Sequence, residues 1–280
     1  MSEPALDLAI IGGGPAALSA AIYAVRAGLN VKVFEKQSFG GALTEVSNLA
    51  NYPGFNGAGQ ELSDVLKGQA KATGASLDYG TCTAIAQSDG IFDLTIDDAT
   101  VQARAVLIAT GSEPVKLDLD TDKPISYCAL SDAPLYKDKK VLVIGGGNAA
   151  VGEATYLAGI ASHVTLINRS PLRAEPALQN KLRSLANVEI HENTQPTPEF
   201  LGAADGIFVF IGKRPATSFV PSEILDDNGY IQTDDNFMTT IPGLFAAGDV
   251  RSGAIRQAIV ASAEGASAAI SVTDYLKRLR

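Results

Sequence analysis

The sequence predicts an α/β fold built from two similar parallel-sheet units, the second inserted into the first. Three observations lead there. Residues 8–36 run from an apolar stretch through a glycine-rich turn and a small-residue helical stretch to a second apolar run ending on Glu35. That is the order strand, turn, helix, strand. The same pattern recurs 133 residues later without a gap, so that Gly12 falls on Gly145, Gly14 on Gly147, Ala17 on Ala150, Tyr23 on Tyr156 and Val31 on Val164. Two more buried-type apolar runs, 105–109 and 206–211, end at Thr110-Gly111 and at Gly212.

Each βαβ unit carries Gly-x-Gly-x-x-Ala at its first turn. The first glycine permits the turn, the second lets a pyrophosphate approach the backbone, and the alanine lets helix pack closely on strand. The following helix start, Pro15-Ala16 in one copy and Asn148-Ala149-Ala150 in the other, offers free N–H groups and a partial positive charge. Both units are therefore read as Rossmann-like dinucleotide-binding domains. They differ where the ribose would lie. Glu35 can accept hydrogen bonds from a free ribose, which suits FAD or NAD. Its counterpart is Asn168, followed by Arg169 and Arg173, which suits the 2′-phosphate of NADP. The competing reading of the two arginines is a solvated basic turn.

Composition excludes several classes. Apolar residues make up 46% of the 280, enough for two cores, and the net charge of −9 argues against nucleic acid as the main partner. No apolar run reaches the length of a membrane span, and the acidic start passes directly into a strand rather than a signal peptide. Two cysteines make no disulfide framework, so a reducing, cytoplasmic home is expected. The two histidines, His163 and His191, show no ligand spacing, and no metal site is predicted.

Past Glu35, the loops 38–44 and 51–55 are placed to clasp the rest of a long cofactor. Residues 61–73 read as helix, 76–86 and 91–96 as strands around a turn at Asp89-Gly90, and 187–190 as strand. Residues 194–200, with two prolines, read as irregular. Residues 244–250 read as a strand ending in Gly248-Asp249, and 255–279 as a helix. Residues 112–122 form a first linker and Ile241-Pro242-Gly243 marks a second. The expected domains are 1–113 with 244–280, and 114–243 between them.

Taken together, GGGPAALSAAIYAVRAG, NYPGF, ATG, SYCALSD, VLVIGGGNAAVGEA, IGKRP and FAAGDVRSGAIRQA, in this order over nearly the whole length, resemble the low-molecular-weight thioredoxin reductases. The resemblance implies FAD in the first domain, NADPH in the second (with NADH left open), and a homodimer. It assigns to FAD the positions Gly12, Gly14, Pro15, Ala16, Glu35 and Lys36, then Gly40, Gly41, Leu43, Thr44 and Asn51. It adds Cys82, Ala109, Thr110 and Gly111, with Gly248 and Asp249 at the ribityl chain. Arg256, Gln257 and Ala258 are implied at the flavin's pyrimidine edge, where a helix start stabilises negative charge. For the second nucleotide it implies Gly145, Gly147, Asn148, Ala149, Ala150, Asn168, Arg169, Arg173, Ile211 and Gly212.

Three departures stand out. The family's Cys-x-x-Cys-Asp is here Cys128-Ala129-Leu130-Ser131-Asp132. A serine hydroxyl neither attacks a disulfide nor forms one at neutral pH, so the internal dithiol chemistry is disabled as written. Both a natural loss and an artificial Cys→Ser change account for this. Cys82, on another strand, reads as a small buried residue rather than a substitute. The arginine pattern lacks one arginine and is one residue shorter. The stretch from Ser184 to Gly206 is too short for the family's β-meander, so the second domain is trimmed. The sequence thus points to a flavoprotein passing electrons from NAD(P)H through FAD to a disulfide or other acceptor, with Cys128 as remaining thiol and Asp132 as proton donor or acceptor. A thioredoxin-like or ferredoxin-like protein would be its redox partner. Two alternatives stay open: an FAD protein reduced by ferredoxin or a second flavin, and a non-catalytic flavin-binding protein.

Overall fold

The computed structural model describes residues 5–46 and 49–279, so the first four residues, to which the signal-peptide argument belongs, lie outside it. The chain forms two compact units: residues 1–113 with 215–280, and residues 114–214.

In the first unit the strands Leu6–Ile11, Val31–Glu35, Ser76–Tyr79, Ala99–Ile108 and Leu244–Ala246 build a parallel sheet in the order 76–79, 31–35, 6–11, 99–108, 244–246. Both faces are buried, as parallel strands require. Leu8, Ile10, Val31, Val33, Ala105 and Leu107 face the helices Pro15–Arg26, Gly59–Ala72 and Ala258–Arg278. The alternate residues Ala9, Ile11, Phe34, Val106 and Ile108 face the other way. That second face is covered by a meander. The long strand Ala99–Ile108 continues antiparallel into Ile91–Ile96 and then Cys82–Ser88, which bring Phe92, Leu94 and Ile96 onto the sheet. The single strand expected over 76–86 is therefore two. One half ends the parallel sheet and the other opens the meander, with Gly80 making the break beside Phe34 and Ile96.

The return to the first unit comes at Pro215, which corrects the boundary expected at Gly243. Ile224 and Ile231 are buried in the same core as Phe92, Leu244 and Val250. Ile231 N–H donates to Val250 O at 3.0 Å and Thr239 N–H to Leu244 O at 2.8 Å. Ile241-Pro242-Gly243 is thus a turn within this unit and not a linker. The last helix starts at Ala258, with Gln257 as its cap, rather than at Ile255. It crosses the first helix so closely that a Cβ on Gly265 would strike the Ala16 backbone.

The second unit is a five-stranded parallel sheet in the order Ile125–Ser126, Gly206–Val209, Lys140–Ile144, His163–Asn168, Val188–Glu192. Helices Asn148–Ala158 and Pro176–Arg183 cover one face through Val151, Ala154, Leu157 and Leu182. The other face is covered by Leu201 and Ala204 with Leu117, Leu119 and Ile125. The stretch expected to be irregular, 194–200, leads into a short helix, Pro198–Ala203. The internal repeat holds to the hydrogen bond. Leu8 pairs with Val31 and Val141 with Val164, Ile11 with Phe34 and Ile144 with Ile167. Gly12 N–H donates to Phe34 O at 2.8 Å, and Gly145 N–H to Ile167 O at 3.0 Å. Among the described residues, no helix is long and apolar enough to cross a membrane.

Candidate functional site

In the first unit the C-terminal ends of four neighbouring strands carry Glu35, Gly12, Ala109-Thr110-Gly111 and Gly248-Asp249. Such an edge, with a helix starting above it, is where open α/β sheets bind ligands. The two motif glycines serve different ends. Gly12 sits at φ +109° and a Cβ there would collide with the Ala109 carbonyl, so this glycine is demanded by the fold itself. Gly14 has φ −76° and ψ −175°, and a Cβ there would meet nothing within 4 Å. It caps the helix starting at Pro15 with no side-chain hydrogen bond, so the first N–H groups of that helix are not capped by its own side chain.

The surrounding residues are brought together as follows. Gly40, at φ +116°, donates to Gly13 O at 2.8 Å, and Gly41 sits over Gly14. Thr44 Oγ1 donates to Gly41 O at 2.9 Å while Leu43 is buried. Glu35 is buried and accepts the Gln37 N–H at 2.8 Å. Lys36 is exposed and lies 3.5 Å from Glu113. Thr110 Oγ1 donates to Ala216 O at 2.8 Å. Asn51 Nδ2 donates to Gln257 Oε1 at 3.1 Å, joining the short strand Leu49–Tyr52 to the cap of the last helix. Arg256 lies over the Tyr230 ring, 4.7 Å from its centroid, and its buried Nε has no hydrogen-bond partner among the described residues. Gly248 N–H donates to Glu264 at 2.7 Å, and Glu264 also holds Arg251 at 3.1 Å. Sequence reasoning passed over Glu264, because a single acid in an Ala/Ser helix carries no local signal.

Cys82 is a core side chain facing the meander layer, its Sγ 3.5 Å from Ala84 O. Burial pushes its thiol up to about 11. At pH 8 roughly one Cys82 in a thousand is then a thiolate. Iodoacetamide is accordingly expected to modify the half-exposed Cys128 and spare Cys82, which peptide mass spectrometry of the folded protein reads directly. The raised pKa also sets a sign: the contribution of this thiol to stability is whole below about pH 9 and is lost as pH rises through about 11.

In the second unit Gly145 repeats Gly12, with its missing Cβ against Phe210 O, and Gly147 repeats Gly14, open and without a side-chain cap. Ala150 is buried, while Asn148 and Ala149 are exposed at the helix start. Asn148 exchanges two hydrogen bonds with Glu175, at 3.0 and 2.8 Å. This acid at the helix start was not anticipated. Asn168 does not face outward as a ribose ligand would: its amide donates to Ser170 O at 2.7 Å and shapes the following turn. Arg169 and Arg173 are exposed on that turn, and among the described residues neither forms an ion pair. Ile211 and Gly212 follow the Gly206–Val209 strand, with Gly212 at φ +126°.

Cys128, Ser131 and Asp132 do come together. Cys128 caps the four-residue helix Ala129–Asp132. Ser131 Oγ lies 2.8 Å from Asp132 Oδ1 and 3.2 Å from Cys128 O. Ser126, two residues before the cysteine and missed as a partner, donates to Asp132 Oδ2 at 2.6 Å. Two hydroxyls thus converge on one carboxylate. Burial and this carboxylate together push the Tyr136 hydroxyl up.

Both histidines flank Glu189, His191 at 2.9 Å and His163 at 3.7 Å. The His191 contact is close but misaligned for a hydrogen bond. Among the described residues, no group of three or more His, Cys, Asp or Glu is arranged to hold a metal.

Comparison with known proteins places this geometry. The family model described as pyridine nucleotide-disulphide oxidoreductase matches residues 6–265. A thioredoxin reductase of Treponema pallidum is 36% identical over 307 aligned positions, covering 99% of each chain. The alignment is longer than this chain, so that relative carries stretches this one lacks. The crystal structure of thioredoxin reductase from Streptococcus pyogenes superposes with a TM-score of 0.91 at 32% identity, covering 99% of this chain and 100% of that one. Thioredoxin reductase from Giardia duodenalis gives the same TM-score at 30% identity over 98% of this chain. With the glycine-turn repeat, the paired sheets and this full-length likeness, the chain belongs to the pyridine nucleotide-disulphide oxidoreductase family, with thioredoxin reductases among its relatives.

Proposed function

We propose that this protein is a flavoprotein oxidoreductase that passes electrons from NAD(P)H through FAD to a disulfide or other acceptor, without an internal disulfide of its own. The observation that carries the proposal is the pair of glycine–helix sites in identical register, one ending on an acid and one on two exposed arginines.

The residues of the first unit fit FAD. Open space at Gly14, an uncapped helix start, the buried acid Glu35 and the orphaned Nε of Arg256 are each the unfinished half of an interaction. FAD supplies, when bound, the two-electron carrier between nicotinamide and acceptor. Gly12 and Gly14 would bring backbone N–H groups to its pyrophosphate, and Glu35 would accept from its ribose. Asp249 would stand at the ribityl chain, and Arg256, Gln257 and the helix start at Ala258 would hold negative charge at the flavin edge. In the second unit Gly147 would serve the nicotinamide nucleotide's pyrophosphate, with Arg169 and Arg173 toward a 2′-phosphate. Asp132, bonded by the hydroxyls of Ser126 and Ser131, would serve as proton donor or acceptor beside Cys128. A thioredoxin-like or ferredoxin-like protein as partner, a homodimeric state and a cytoplasmic location belong to the same proposal.

A second reading is favoured by Glu175, whose carboxylate stands at the helix start of the second unit and opposes a phosphate there. In that reading the donor is ferredoxin or another flavin, or the protein binds flavin without turnover. Anaerobic titration of the yellow protein with NADPH and then NADH separates the two. Bleaching of flavin absorbance within seconds is the expected result, and a flavin left oxidised by both nucleotides overturns the proposal.

A further inference from the structure

Glu192 ends the outermost strand of the second unit, directly across from Asn168. Its Oε2 accepts the backbone N–H of Leu172 at 2.9 Å, and its other oxygen is paired with Arg183. Leu172 is the middle of the turn that carries Arg169 and Arg173. The rest of that turn is tied down by neutral groups. Asn168 holds Ser170 O at 2.7 Å, Gln179 holds Ala174 O at 2.7 Å, and Arg173 N–H donates to Gly146 O at 2.7 Å. These anchors are on backbone, so the chain beneath the two exposed guanidinium groups is fixed, and among the described residues neither group forms an ion pair.

Charge and position set Glu192 apart. It is the charged member of the clamp, and it reaches the turn from a neighbouring strand. A bare carboxylate here would repel a phosphate. Pairing with Arg183 and bonding to the Leu172 amide hold the Glu192 carboxyl below the usual carboxylate range, and they leave a neutral pair beside the arginines. We infer that Glu192 is a positioning residue for dinucleotide specificity: it presets the 169–173 turn so that Arg169 and Arg173 meet the 2′-phosphate of NADPH, and so favours NADPH over NADH. The inference rests on the reading of this unit as the NAD(P)H site. NADH has a hydroxyl at that position and draws little from the arginines, so ordering the turn in advance benefits one nucleotide and not the other.

The test is calorimetric binding of NADP+ and of NAD+ to the FAD-loaded protein, without turnover. For Glu192→Ala we expect the Kd for NADP+ to rise roughly tenfold while that for NAD+ stays within about twofold. Glu192→Gln keeps an acceptor for the Leu172 N–H, so it should retain most of the preference. It also serves where the alanine variant folds poorly, since it preserves size and the backbone bond. Equal weakening of both nucleotides, no change in either, or a glutamine variant as indifferent as the alanine one would each overturn the inference. Wild-type protein that binds neither nucleotide would instead sink the reading of the site, and the role of Glu192 with it.

Discussion

Ser131→Cys is expected to give this protein a reducible internal disulfide and, under the proposed function, to raise NAD(P)H-dependent reduction of a thioredoxin-type disulfide above the wild-type level. Cys128 and Ser131 stand one helical turn apart, with the Ser131 hydroxyl 3.2 Å from the Cys128 carbonyl. Cα atoms three apart on a helix fall within disulfide range. The gain is one of kind, because a thiolate can leave and re-form an S–S bond and an alkoxide cannot at neutral pH. The substitution also removes one of two hydroxyls from Asp132, leaving the Ser126 bond at 2.6 Å to hold the carboxylate. The measurement is dye-coupled thioredoxin reduction, together with a thiol count before and after oxidation. A variant that loses both thiols on oxidation yet reduces no protein disulfide would show that the acceptor of this chain is of another class. Equal thioredoxin reduction by the wild type would remove the premise.

The second large effect separates two glycines that look alike in the motif. Gly14→Val is expected to fold and to lose FAD, with affinity down roughly a hundredfold, about 2.7 kcal/mol. A Cβ at Gly14 meets nothing in the protein, and replacing a glycine cap by valine costs at most about 1 kcal/mol. The lost space is the space the pyrophosphate would take. Gly12→Ala should instead destabilise the fold by about 2–4 kcal/mol, because it combines a strained positive φ with a side chain driven into the Ala109 carbonyl. Flavin retained after gel filtration and the thermal midpoint separate the outcomes. The repeat extends the prediction: Gly147→Val should keep its flavin and lose nicotinamide nucleotide binding. A Gly14→Val protein that stays fully yellow would refute the placement of the cofactor.

The sequence by itself determined the two glycine turns, their strands and helices, and the difference between Glu35 and Asn168. These are local: a strand, a turn and a helix are specified by residues within about thirty positions of one another, through apolar period and the glycine backbone. Tertiary structure alone decided the rest. It returned residues 215–243 to the first unit, because Ile224 and Ile231 bury against strands far from them in the chain and the segment has too few apolar residues to announce it. It split 76–86 between the edge of a sheet and the start of a meander. It turned the Asn168 amide inward to its own loop, and it supplied Glu192, Glu175 and Ser126 as partners. A polar side chain takes its role from what lies across the neighbouring strand or turn, and that neighbour is set by packing of the whole sheet rather than by the residues on either side.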